Sequence, residues 1–322
     1  MSRSEQTYIL LGALGFCALI VWSYTGLYDD VGRELPSRQF PPSQLTRSEK
    51  ERHRFAQLME TWPADKPKAA IYFLVQVDRL NLFKDALHRL DANFNARFQY
   101  PVIVFHEGMN ASSMARIRDF TKSALFFQKI DMDLPTDRLI EYLVPTNDQC
   151  VKRPISYRHM CRFNAIKVYE QPILDGLEFY WRLDTDSRLL RPIGYDVFIR
   201  MKTLGKIHGY IWKKYDGKDC VLGLWSTARR YCETANLQPY FFDQWPNARV
   251  YYNNFEISRV DFWRSEPVQK YLDHIDRLGG IYYLRWGDNP IKAIAVSVFL
   301  PENKTHYFDD IGYAHDGLVV RY

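Results

Sequence analysis

The chain has 322 residues, of which 47% are hydrophobic and 16% aromatic, enough for a sizeable core in one large domain or two. Charged residues make up 25% and the net charge is only +5, spread along the chain. That composition excludes wholesale disorder and falls short of a nucleic-acid-binding surface, so no nucleic-acid partner is expected, although a polyphosphate ligand suits the mild positive charge.

The first predicted element is a membrane anchor. Residues 8–27 form an uncharged run of 20 residues, long enough to cross a bilayer as a helix, with Trp22, Tyr24 and Tyr28 toward one end where amphipathic rings favour the interface. A cleaved signal peptide would have a shorter apolar region and a small-residue cleavage site. A tail of residues 1–7 precedes the anchor, and the Lys/Arg distribution around it leaves its orientation open. From residue 28 to 67 the chain is rich in proline and charge, which reads as a stem, apart from a helical stretch near Arg47 to Met59.

The body, expected over residues 68–322, opens with a buried strand at Ala69–Gln76. An amphipathic helix follows, with Leu82, Phe83, Ala86, Leu87, Leu90 and Phe94 on one face. Tyr100–His106, Ala124–Gln128 and Leu177–Leu183 read as further strands. Strands and helices in alternation predict an α/β fold with a mostly parallel sheet flanked by helices. Cys150, Cys161, Cys220 and Cys232 allow three pairings and suit an oxidising lumen, but buried unpaired thiols are an equal reading, and no CxxC spacing suggests zinc. Asn110 and Asn303 each begin a glycosylation sequon.

Chemistry concentrates in five places. Asp184 and Asp186 follow the aromatic strand Leu177–Leu183, at a strand end where ligands bind in open α/β sheets. Two carboxylates one residue apart can face a hard divalent cation that also takes phosphate oxygens, an arrangement used by transferases of nucleotide-sugars. In the stretch from Ser156 to Asn164, Arg158 and Arg162 share a helical face; they suit either phosphate or acidic docking partners. Glu256 has apolar neighbours on both sides, so its carboxylate needs either a role or an ion pair, for which Arg259 and Arg264 are near in sequence. Asp288, in the stretch Arg285 to Pro290, is placed as a helix cap, a catalytic carboxylate or both. His315 follows a glycine turn and can offer imidazole to a transition metal.

These motifs resemble, in order and spacing, the fungal α-1,2-mannosyltransferases of the Golgi (glycosyltransferase family 15), over about Lys68 to Asp316. The resemblance rests on Ser156–Phe163, Tyr180-Trp-Arg182, Asn254–Ile257, Arg285–Asp288 and Asp310–His315. It implies a GT-A-type fold, GDP-mannose as donor, Mn2+ as metal and a mannosylated glycan or glycoprotein as acceptor. It further implies retention of the anomeric configuration and type II topology, with the body in the Golgi lumen. By motif, His315 and Asp186 are implied as metal ligands, Glu256 as the nucleophile, and Tyr157 as a tyrosine near the reacting sugar. Taken with the residue reading, the expected catalytic set is Glu256, Asp288 and Tyr157, and the expected donor set Arg158, Arg162, Arg182, Asp184 and Asp186. The acidic loop departs from the family's usual Glu-Pro-acid pattern, with Asp184 for the glutamate and Thr185 for the proline. A retaining transferase of altered donor or acceptor, and an inactive glycan-binding relative, are the rival readings.

Overall fold

The computed structural model describes residues 45–135 and 153–321. The expected tail 1–7, the anchor 8–27, most of the expected stem, Cys17 and Cys150 lie outside the described residues. Among the described residues, no helix is long and apolar enough to cross a membrane.

Part of the stretch read as stem belongs to the folded body. Helix α1, Arg47–Glu60, sets Phe55 and Met59 four residues apart on one face, and both are buried. Phe55 meets Phe126 edge to face, with ring centroids 5.0 Å apart. The amide of Lys129 donates to Ser48 Oγ at 3.0 Å, and Arg118 pairs with Glu51 at 2.8 Å. The compact unit runs from Arg47 to Tyr322, earlier than a boundary at residue 68. Proline and charge gave the stretch its linker character; two apolar residues at helical spacing are what dock it.

The next elements are β1 (Ala69–Leu74), α2 (Leu80–Leu90), β2 (Val102–His106), α3 (Ala111–Arg118), β3 (Leu125–Lys129), α4 (Ile155–Ala165) and β4 (Phe179–Leu183). They are followed by β5 (Arg188–Leu189), α5 (Val197–Thr203), β6 (His208–Tyr210), β7 (Lys213–Tyr215), α6 (Leu224–Thr234), β8 (Arg249–Tyr251) and β9 (Phe255–Arg259). The chain closes with α7 (Val260–Arg264), α8 (Glu266–Leu278), α9 (Gly280–Tyr283), α10 (Asp288–Phe299), β10 (Thr305–Tyr307), β11 (Tyr313–His315) and β12 (Leu318–Arg321). Seven strands form the main sheet in the order β10-β6-β9-β4-β1-β2-β3. β1, β2, β3 and β4 run parallel, and β9 lies antiparallel between β4 and β6. Strands β12, β11 and β5 make a small second sheet, and β7 pairs with β8.

Side chains alternate across the main sheet, as the period of two requires. Ile71, Phe73, Val104, Trp181, Phe255 and Ile257 face one core with Phe83, Leu87, Phe94 and Phe198. Tyr72, Ile103, Phe105 and Tyr180 face another, packed by α1, α4, α8 and α10. Helix α2 buries Phe83, Ala86, Leu87 and Leu90 as its periodicity predicts, whereas Leu82 is turned outward. Phe94 reaches the core from a π-helical turn, Asp91–Asn95, that follows the helix. Helix α10 is buried on nearly all sides, so even Lys292 on it is inside. Cys161 and Cys232 are free and buried, and Cys220 is disulfide-bonded.

Candidate active site

Beyond the ends of β1 and β4 the sheet opens into a cavity of about 510 Å³. Leu74, Val75 and Gln76 line it from β1, and Asp184, Thr185 and Asp186 from β4. Parallel neighbours stop at one level there, leaving strand-end groups to converge where a ligand can approach. The acidic turn is fixed by its own backbone: Ser187 N donates to Asp184 O at 3.0 Å, and Asp184 N donates to Ser187 Oγ at 2.9 Å.

Arg182 is the organising charge. It sits on β4, 2% exposed, with Nε and Nη2 each 3.2 Å from Asp184 Oδ1 and Nη1 bonded to Asp288 Oδ2. A guanidinium so buried requires paired carboxylates, and its fork supplies donors for two of them. Asp288 opens α10 as its first residue, after Gly287, and makes no cap bond; its Oδ2 also accepts from Asn253 Nδ2 at 3.0 Å. Burial raises the pKa of the Asp184 carboxyl, yet Arg182, His315 and Asn254 override it and hold the group well below the usual carboxylate range.

His315 arrives on β11, carried by the small second sheet. Its Nε2 lies 3.0 Å from Asp186 Oδ1, 3.5 Å from Asp184 Oδ2 and 3.1 Å from Asn254 Nδ2. Its Nδ1 lies 2.7 Å from the Tyr252 hydroxyl. Burial works against the charged ring, but the hydrogen bonds and charges of Asp184 and Asp186 outweigh it and lift the pKa to about 9. Asp186, in turn, is lowered: burial opposes its charge and His315 restores it.

Three expectations are corrected by this geometry. Glu256 does not share the cavity. It stands opposite Arg182 in the β4–β9 register and is 1% exposed, bonded to Lys292 Nζ at 2.6 Å and accepting from Tyr180. Its partner is Lys292 of α10, which covers it; Arg259 and Arg264 pair with Asp261 and Asp175 instead. Arg162 forms a two-pronged pair with Asp276 of α8 at 2.8 and 2.7 Å, and Arg158 donates to the carbonyl of Tyr282. Neither lines the cavity, because α4 turns Ser156, Tyr157, Met160 and Asn164 toward it and rotates the two arginines against α8 and α9. Tyr157, Arg182, Asp184, Asp186, Asp288 and His315 are brought together as expected.

The cavity's other basic groups are Arg79, Arg153, Lys214 and Arg285, none of which was singled out from sequence. Arg285 was visible as part of the motif ending at Asp288. Arg79 and Arg153 lie in connecting segments and Lys214 on the three-residue strand β7, none with a periodic signal, and topology alone brings them here. Tyr252 and Asn253 were visible as the start of the Asn-Phe-Glu stretch.

The fold of the described residues is shared with solved structures. Core-mannan synthase A from Aspergillus fumigatus, in its Mn/GDP form, matches it with a TM-score of 0.74 at 25% identity, over 79% of this chain and 76% of that one. The mannosyltransferase Ktr4p from Saccharomyces cerevisiae, in complex with GDP, shares the fold with a TM-score of 0.72 at 24% identity, over 86% of this chain and 82% of its own. The chain belongs to the family described as glycolipid 2-alpha-mannosyltransferase, whose profile matches residues 36–320. It is 31% identical to glycolipid 2-alpha-mannosyltransferase 1 of Candida albicans over 272 residues, which is 78% of this chain and 63% of that protein. With glycolipid 2-alpha-mannosyltransferase of Saccharomyces cerevisiae the identity is 28% over 280 residues, 78% and 61% of the two lengths. The chain thus spans about three-fifths of the length of these relatives.

Proposed function

We propose that the chain is a retaining mannosyltransferase that moves mannose from GDP-mannose to a mannose-bearing glycan in α-1,2 linkage, with Mn2+ as its metal. The observation that carries this reading is the buried chain of contacts Asp184–Arg182–Asp288, with His315 at its outer end, on the wall of a strand-end cavity in a chain of this family.

Among the described residues, no three His, Cys, Asp or Glu side chains are set in advance around a common point for a metal. His315 instead contacts both Asp184 and Asp186, and its raised pKa reflects a proton that a metal held there would displace from the ring. Two carboxylates around one ring whose Nδ1 is engaged by Tyr252 make a mixed oxygen–nitrogen donor set, which suits Mn2+ better than Mg2+. Those three residues would hold the metal. When bound, it neutralises charge building on the departing diphosphate.

The remaining work falls to the chain's own groups. Arg79, Arg153 and Lys214 line the cavity and offer donors to phosphate oxygens, the task expected of Arg158 and Arg162. Arg182 and Asn253 fix Asp288 as a wall carboxylate that stabilises an oxocarbenium-like state. Arg182 and Asn253 occupy Asp288 Oδ2, and the acceptor hydroxyl gives its proton either to this carboxylate or to the departing phosphate. Glu256 is buried against Lys292 and Tyr180 and does not line the cavity, which favours same-face attack over a covalent step through it.

The test is release of GDP from a panel of nucleotide-sugars with Mn2+, with and without an α-mannoside acceptor. GDP-mannose alone should be turned over, and the product should keep the α configuration. No turnover of GDP-mannose, or an inverted product, overturns the reading. We also assign the body to the Golgi lumen on a type II anchor at residues 8–27, a reading supported by that uncharged run and by exposed sequon residues Asn110 and Asn303. Protease added to sealed microsomes should spare the body; its digestion would overturn the topology.

A further inference from the structure

One side chain on the cavity wall is held under strain and left short of partners. Arg285 has φ of 59°, the left-handed region that costs any residue other than glycine. The residue after it holds it there. The Trp286 ring lies so close on Gly280 that a Cβ at that glycine would sit 2.2 Å from it. Trp286 Nε1 donates to Leu222 O at 2.7 Å, and Trp286 N to Gly280 O at 3.1 Å.

The Arg285 side chain is nine-tenths buried and borders the cavity. Its Nη2 donates to the Tyr157 hydroxyl at 2.7 Å, and its guanidinium carbon lies 4.9 Å from the centre of that ring. Nη1 stands 3.8 Å from Asp216 Oδ1, too far for a hydrogen bond, and neither Nη1 nor Nε has a hydrogen-bond partner. Buried donors left unmade are costly unless a ligand completes them. Strain and missing partners at one cavity-wall residue together point to a group that enters from the cavity.

The neighbours say what kind of group. Arg285 lies three residues before Asp288 and contacts Tyr157 and Asp216, while the acidic turn and His315 are tied together by contacts of their own. Asp216 stands beside Arg285 and offsets its charge, so a neutral polyol suits the pair better than an anion does. A guanidinium that donates beside a carboxylate that accepts is matched to two adjacent hydroxyls.

We propose that Arg285 and Asp216 form the specificity-determining pair for the acceptor sugar, binding two adjacent hydroxyls of it, while Arg285 also positions Tyr157. This rests on the transferase reading above. The experiment is a steady-state comparison of the full chain with its Arg285→Lys and Asp216→Asn variants, using GDP-mannose, methyl α-mannoside and the mono-deoxy forms of that mannoside. Arg285→Lys should raise the acceptor KM roughly tenfold, the worth of about one lost hydrogen bond, while the donor KM moves less than about twofold. The wild type should lose a similar factor on two of the deoxy acceptors, and Arg285→Lys should no longer tell one of these from the parent sugar. An unchanged acceptor KM in both variants overturns the proposal. So do donor and acceptor KM values rising together, and a fall in kcat with neither KM altered. Should Arg285→Lys fail to fold, the deoxy series on the wild type decides: equal use of every acceptor overturns the pair. If the wild type does not turn over GDP-mannose at all, with or without acceptor, the transferase reading fails and this assignment fails with it.

Discussion

Arg182 and Lys292 are both buried cations on the same side of the main sheet, and their partners separate two carboxylates that look alike in sequence. Arg182 ties Asp288 to the cavity wall, whereas Lys292 holds Glu256 buried. Asp288→Asn should therefore cut turnover on the order of 10²–10³. Glu256→Gln should act first on stability, costing about 3 kcal/mol because the Lys292 ammonium is left buried and unpaired. The double variant Glu256→Gln/Lys292→Met should recover most of that loss in a denaturant titration. A Glu256→Gln protein of normal stability but lower turnover than Asp288→Asn would return Glu256 to the reaction itself. At the other end of the chain of contacts, His315→Ala removes the imidazole beside Asp184 and Asp186. Calorimetry should show Mn2+-dependent GDP binding weakened on the order of tenfold or more, and unaltered binding would remove His315 from the metal site.

At the scale of elements, α1 is the test of where the body begins. Phe55 and Met59 seal the sheet edge near β3, and Phe55 is 2% exposed. Phe55→Ala should cost about 3–5 kcal/mol, a transfer term plus the cavity left behind. A chain starting at residue 68 should unfold at lower denaturant than one starting at residue 45; equal midpoints would make α1 a passive attachment. Helix α4 decides by rotation which arginines meet the cavity. The spacing of Arg158 and Arg162 correctly put them on one face, but two acidic or carbonyl partners on α8 and α9 were waiting on that side. Charge on a helix face was legible; the direction of the face was not.

Across the whole molecule, burial couples stability to pH through two histidines far from the acidic turn in sequence. His208 is 1% exposed with neither ring nitrogen partnered, and burial draws its pKa from 6.5 down to about 4. His106 is likewise drawn to about 4, by burial first and then by Lys129 and Arg47, with its Nδ1 accepting from Met109 N at 3.0 Å. A depressed folded pKa means the unfolded chain binds the proton more readily. The contribution is therefore complete above about pH 6.5 and is lost as pH falls toward 4. For His208 it is on the order of 3 kcal/mol. His208→Phe, set among Tyr251 and Trp263, should flatten the stability profile between those pH values; an unchanged slope would place the coupling elsewhere. Alternating apolar runs and amphipathic spacing determined the α/β class, the parallel strands and most core residues from sequence alone, because side-chain period follows from local backbone geometry. The motifs likewise singled out Asp184, Asp186, Asp288, Tyr157 and His315. Which of the remaining charges face the cavity was decided only by tertiary structure. Lys292 on a helix buried on nearly all sides took Glu256, α8 took Arg162, and segments distant in sequence supplied Arg79, Arg153 and Lys214. A charged side chain's partner depends on which element docks against it, and that choice is made by packing across the chain rather than by its neighbours in sequence.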